Sequence, residues 1–274
     1  MTVDWKALAN KPSGLARVQN IDLYLGSDSS QHSPIDRYYE QRRNAITIAT
    51  PDLAMAAPWL TAYILVSVVS ATELYFREIF SKTISICPHS QKISAEQSIH
   101  IGSILWHGSD SYSKAAFEHL SFAGSEKIKK CSKDFLGHEI KRTSQTFKAL
   151  EEFDTICELR HGIVHAGLLL PGKNATKLGA NKIANKTFIL PDIARLHDAT
   201  AACTALVESY NSELYCTLVE RWATIWRKPT WSKADENDML KKILHIFYST
   251  SNAPSIRPSF VKIKNQIKKQ YNIQ

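Results

Sequence analysis

The run Glu158-Leu159-Arg160-His161-Gly162-Ile163-Val164-His165-Ala166-Gly167 sets one permanent cation and two imidazoles close together. Arginine can hold a phosphate through two donors at once. Histidine titrates near neutral pH, so it can take or give a proton during a reaction. Together they suffice for RNA cleavage with no metal. A base removes the 2′-hydroxyl proton, the oxygen attacks the adjacent phosphorus, the bond to the 5′-oxygen breaks, and an acid protonates that oxygen. The arginine stabilises the charge on the phosphoryl group. Residues five apart on a helix differ by about 140° in direction, so Arg160 and His165 do not share a face. Either the helix loosens at Gly162, or the arginine stem reaches round, or a second subunit completes the site. Two copies about a two-fold axis supply two His165 groups, one for each proton transfer.

An element must carry this segment. The stretch His138–His165 has no proline, and Phe147, Leu150, Phe153, Cys157 and Val164 recur on one stripe. That pattern predicts a long helix ending at Gly167 and Pro171-Gly172. Upstream, Leu53–Thr72 holds no charged residue. Its hydroxyls, and its continuation into Glu73 and Arg77, predict a helix from Pro58 to Cys87-Pro88 buried in a bundle rather than in a membrane. Further helices are expected over Pro34–Arg43, near 95–106 behind a Ser94/Gln97 capping box, over Ser109–Ala123 and Ser125–Phe135, and from Asp192 to Trp226. Residues 168–191 read as a loop or short hairpin with a lysine-rich tip. The Gly26–Ser30 run reads as a loop closing a polar start. The domains read as an N-terminal extension over 1–52, a helical domain over 53–226 and a basic helical extension over 227–274, with Pro229 marking the break near its start. The fold class is all-α.

Charge points to the partner. The net charge is +8, and from Arg227 to Gln274 ten Lys or Arg face three Asp or Glu. Lys173, Lys177, Lys182 and Lys186 add a second basic run with no acid among them. Such asymmetry suits a polyanion, and nucleic acid is the usual one. Five widely spaced cysteines with no CxxC exclude a disulfide framework and suit a reducing, cytoplasmic setting. The opening residues MTVDWKALANK carry no apolar signal-like stretch.

The residues around Arg160 carry a resemblance. An arginine, a polar residue, three more residues and a histidine, late in a helix and followed by a small residue, resemble the signature of the HEPN superfamily. The text ELRHGIVHAG, with the apolar helix bearing Glu73 before it and a long helix after it, is similar to that family over about 53–226. The resemblance implies a helical bundle that dimerises with the motif at the interface, and a metal-independent ribonuclease of the toxin or antiviral-defence kind. It implies Arg160 and His165 as the catalytic pair and His161 as the polar positioner. RNA such as tRNA or mRNA is the implied substrate, and an antitoxin or activating protein the implied regulator, with no cofactor. Toxins of the family paired with a minimal nucleotidyltransferase carry a tyrosine where this chain has Gly167.

Other readings of the same residues stand beside this one. His161 and His165 fall beside the buried stripe and also read as core histidines. Cys157, His161 and His165 lie on one face and could ligate zinc, although no metal is assigned. Cys157 with His161 lacks a third orienting group for nucleophilic chemistry. Arg160 also reads as an ion-pair partner of Glu73 or Glu158. Glu73 reads as a residue orienting Arg160 or a histidine, or as the first solvated residue of its helix. Phe247, Tyr248, Phe260 and Tyr271 could stack on bases but read first as core residues. Trp222, Trp226 and Trp231 read as docking the C-terminal segment. A catalytically inactive dimer that binds RNA or protein is the alternative function.

Overall fold

The structure is a computed structural model and describes residues 14, 17–28, 32–108, 111–182, 186–228, 230–250 and 260–273. The opening MTVDWKALANK, the loop end at Ser29-Ser30, the helix start at Ser109, the loop tip at 183–185 and Pro229 lie outside these residues. Residues 1–31 and 32–274 form two units. In the first, Ile21–Tyr24 makes one 3₁₀ turn.

The second unit is built from twelve α-helices among the described residues. In chain order these are α1 (Pro34–Thr47), α2 (Pro51–Ala56), α3 (Pro58–Ile86), α4 (Pro88–Ser94), α5 (Ile101–His107), α6 (Tyr112–Ala115), α7 (Ser125–Leu136), α8 (Gln145–His165), α9 (Gly172–Leu178), α10 (Ile193–Arg221), α11 (Lys233–Phe247) and α12 (Phe260–Gln270). The chain is all-α, and the one isolated β-bridge among the described residues joins Leu169 to Phe188.

The apolar helix α3 is the axis of the bundle. Its proline-started first turn and its uncharged run give buried residues on several faces, from Thr61 and Leu65 through Val69, Phe76 and Phe80 to Ile84. It packs against α1, α7, α8, α10 and α11. Length and composition alone would let it cross a membrane, yet its most apolar window is 61% buried inside the bundle, as befits a core helix. Phe76, Phe80, Phe117, Phe122 and Tyr210 form tilted and edge-on pairs at 5.2–6.4 Å around its second half. Such pairs add to the transfer of apolar area from water.

Three expectations from the sequence are corrected. Ser94 does not open a helix; its hydroxyl donates back to the Gln91 carbonyl at 3.1 Å, and the next helix starts only at Ile101. The stretch Ser109–Ala123 holds the single turn α6 followed by turns. Helix α8 begins at Gln145 rather than His138. Gly137 ends α7 in the left-handed conformation, Arg221 donates to the carbonyls of Leu136 (2.6 Å) and Gly137 (2.8 Å), and Ser144 caps the start of α8.

Helix α11 belongs to the core rather than to an appended tail. Leu240, Ile243, Ile246 and Phe247 are buried in the same cluster as α3 and α10. Asn211 of α10 donates to the Phe247 carbonyl at 2.9 Å, and Asp36 of α1 accepts from Ser249 and Thr250. Trp222 is fully buried, and Trp226 meets Trp231 edge-on at 6.4 Å, so the tryptophans do dock the C-terminal segment. Phe260 and Tyr271 pack against this core.

One buried histidine makes stability depend on pH. His138 lies 3.2 Å from the Thr217 hydroxyl and 3.5 Å from Glu213. Burial lowers its proton affinity below the usual histidine value, Glu213 opposes that, and Arg221 adds to it. As pH falls, the unfolded chain therefore takes up this proton first. The contribution is intact above about pH 6.5 and is lost as pH drops from there through the lower folded value. The urea midpoint is expected to be level above that pH and to fall below it, and His138→Gln to flatten the fall.

Candidate active site

The motif occupies the last turns of α8. The helix stays regular through His165, with the Ala166 N–H donating to the Gly162 carbonyl at 3.1 Å. Gly162 therefore does not loosen it, and Arg160 and His165 remain on different sides of the axis. The glycine serves another purpose. The segment after α8 returns across it: Leu170 N–H donates to the Thr187 carbonyl (2.9 Å) and Ile189 N–H to the Leu168 carbonyl (2.8 Å). A Cβ on Gly162 would stand 2.5 Å from Ile189 Cδ1 and 2.8 Å from the Leu169 carbonyl oxygen. The expected loop or hairpin is thus one bridge held tight against the motif helix, with α9 folded inside it. Past the motif, Gly167 (φ 60°) and Leu168 (φ 72°) are both left-handed, which breaks the helix straight after His165. Such a φ costs a non-glycine residue of order 1 kcal/mol, so Leu168 is held there by its surroundings.

Cys157 and the three motif side chains differ in setting. Cys157 is buried and faces Cys203 of α10, and burial pushes its thiol far above the ordinary range. That removes it as a nucleophile at neutral pH. His161 and His165 are both exposed, with ring centroids 4.8 Å apart, so neither is a core histidine. Among the described residues no group of three His, Cys, Asp or Glu is arranged to hold a metal, so Cys157, His161 and His165 do not form a zinc set. Arg160 is half-buried; its Nε is shut off from solvent with no hydrogen-bond partner, and no ion pair joins the guanidinium to any described residue. A half-buried arginine without an anion is an unmet demand.

The two carboxylates expected beside Arg160 are engaged elsewhere. Glu158 accepts from Asn174 Nδ2 at 2.6 Å and pairs with Lys177. Glu73 is 5% exposed and accepts from the Ser121 hydroxyl (2.9 Å) and the Phe122 N–H (2.8 Å), with Arg77 3.7 Å away. It fixes the loop before α7 and makes no hydrogen bond to Arg160, His161 or His165, so its expected orienting role is replaced by a structural one. Glu73→Gln keeps the acceptor and loses the charge. It is expected to lower stability by about 1 kcal/mol, read by urea denaturation, without changing any activity of the folded fraction.

A cleft of about 720 Å³ opens beside the motif, walled by Asp154, His161, Lys127, Lys173 and Lys177 among others. Of the four lysines singled out in sequence, Lys173 and Lys177 line it, and Lys177 is paired with Glu158. Lys182 and Lys186 are exposed and stand outside its walls. Lys127, on the first turn of α7, was not foreseen, because nothing in 125–136 links it to a motif some thirty-five residues later. Asn174 was also missed; it is buried and ties α9 to α8 through Glu158. Glu126, Asp154 and Glu158 also line the cleft, so its three lysines face three carboxylates; of the motif residues only His161 lines it, and Arg160 and His165 stand outside its walls. No family model matches this chain, and searches of curated proteins and of solved structures return no match.

Proposed function

We propose that this protein is a metal-independent endoribonuclease of the HEPN type, working as a homodimer, in the role of a toxin or antiviral effector. The observation that carries the reading is the end of α8: an arginine with no ion pair among the described residues and two exposed imidazoles 4.8 Å apart, the first of them in the wall of a polar cleft. Arg160 grips the scissile phosphate. His165 exchanges protons with the 2′-hydroxyl or the 5′-oxygen, and His161 holds its ring in place. Lys127 and Lys173 attract neighbouring phosphates.

The dimer is argued from surface chemistry. Val164, Phe188, Leu190, Trp59 and Tyr63 are large, apolar and 43–50% exposed. They lie on α8, on the bridge segment and on the start of α3, which the Thr61 hydroxyl ties to the Pro191 carbonyl at 2.6 Å. An apolar face of this kind beside a motif whose Arg and His diverge favours a second copy that brings the missing group.

The test has two readouts on one sample. Cleaved RNA should carry 2′,3′-cyclic phosphate and 5′-hydroxyl ends. Mixing Arg160→Ala with His165→Ala protein should restore part of the activity if each cleft draws Arg160 and His165 from different copies. Ends of the 3′-hydroxyl and 5′-phosphate type would overturn the chemistry, and a monomer in sedimentation would overturn the composite site.

A further inference from the structure

His161 and His165 stand four residues apart on α8, whose last turns stay regular through His165. Residues at this spacing project from one side of a helix, one above the other. Their rings lie 4.8 Å apart between centroids and are tilted by 47°. A zinc–nitrogen bond is about 2.0–2.1 Å long, so small side-chain rotations bring one nitrogen of each ring onto a shared ion. Both rings are exposed, and neither makes a hydrogen bond or ion pair to any described residue. Each neutral ring therefore keeps a lone pair that nothing in the fold uses.

The setting favours a cation and limits its ligands. His165 closes the last turn of α8, at the negative end of the helix dipole. The permanent charge of Arg160 lies on a different side of the axis from His165. Asp154 and Glu158, on the histidine side of the helix, are held by Ser125 and by Asn174 with Lys177. Cys157 is buried, and burial pushes its thiol far above the ordinary range. No third side chain among the described residues completes a metal set, so the other positions on an ion held here go to water. Imidazole suits zinc, nickel and copper, whereas magnesium and calcium take oxygen ligands. The other close histidine pair among the described residues, His100 with His119, is 6.2 Å apart and joins two segments rather than one helix face.

We propose that His161 and His165 chelate one divalent ion of the zinc class (Zn²⁺, Cu²⁺ or Ni²⁺), and that the bound ion silences the site. A lone pair given to a metal accepts no proton, so the ion withdraws both imidazoles from proton transfer. The ion is an inhibitor here and not a cofactor, in keeping with cleavage that needs no metal. The silencing rests on the proposed ribonuclease activity; the chelate does not.

Calorimetric titration of the full chain, stripped with EDTA and desalted, with ZnCl₂ and with MgCl₂ tests the chelate on the wild type, His161→Ala, His165→Ala and His119→Ala. One zinc per chain is expected, and no magnesium. Losing either chelating ring should weaken zinc about 10²-fold, the gain that a second tethered ligand brings, and His119→Ala should change nothing. All three rings are exposed, so the variants fold. Absence of binding at about 1 mM zinc, one zinc shared by two chains, or unchanged affinity in His161→Ala or His165→Ala would overturn the chelate. Wild-type cleavage of RNA in EDTA should fall about 10²-fold once zinc saturates the site, as for loss of one acid–base group. Cleavage unchanged or raised by bound zinc would overturn the silencing. RNA left intact in EDTA would count against the ribonuclease and the silencing with it, and the titration would still decide the chelate.

Discussion

His165→Ala is expected to lower RNA cleavage by about 10²- to 10⁴-fold, the contribution of one positioned acid–base group. The protein should stay folded, because the ring is exposed at the end of α8 and makes no hydrogen bond to any described residue. Arg160→Ala should lower cleavage by a similar factor of about 10²–10³, since it removes the charge facing the phosphoryl oxygens. The two differ in stability. Arg160 is half-buried with its Nε desolvated and unbonded, so truncating it relieves one cost while losing stem packing, and the net change should be small. Circular dichroism melts run beside the cleavage assay separate loss of chemistry from loss of fold. Cleavage by His165→Ala at the wild-type rate would remove this residue from the mechanism.

Gly162→Ala is expected to cost up to about 3 kcal/mol, the range for a methyl forced into packed space. The reason is local and specific. The added Cβ would meet a methyl at 2.5 Å and a backbone carbonyl oxygen at 2.8 Å. The methyl can rotate away, but the carbonyl belongs to the bridge segment and can move only by lifting Leu169 off the helix. That would disturb the Leu170–Thr187 and Ile189–Leu168 hydrogen bonds and loosen α9 with Lys173 and Lys177. Alanine is otherwise a better helix former than glycine by about 1 kcal/mol, so a gain in stability would show that the bridge does not press on the helix. The melting temperature and the cleavage rate should fall together. By contrast, Gly172→Ala, with open space around its Cβ, should change neither appreciably.

The legible parts of this chain are those set by local rules. The apolar run after Pro58 and the Cys87-Pro88 stop define α3 to the residue, since proline starts and ends helices by sterics alone. Helix α10 follows its Asp192 cap, whose carboxylate accepts from the Arg195 N–H at 2.7 Å. What local rules missed was decided by distant side chains. The end of α7 is held by Arg221, more than eighty residues away, whose guanidinium donates to the carbonyls of Leu136 and Gly137, and α8 starts afresh at its Ser144 cap. The place of α11 in the core depends on Asn211 and Asp36 reaching its end. At the site, the types and spacing of Arg160, His161 and His165 are what the proposed chemistry was read from. The exposure of the two histidines, the engagement of Glu73 by Ser121 and Phe122, and the reason for Gly162 arise from tertiary packing that no window of sequence contains.

The most direct test of the account is incubation of the purified protein with total tRNA and a labelled single-stranded RNA in excess EDTA, with His165→Ala and Arg160→Ala in parallel. The account predicts cleavage by the wild type alone, undiminished by the chelator. RNA left intact in EDTA but cut when a divalent metal is restored, or cut equally by the His165→Ala protein, would contradict it.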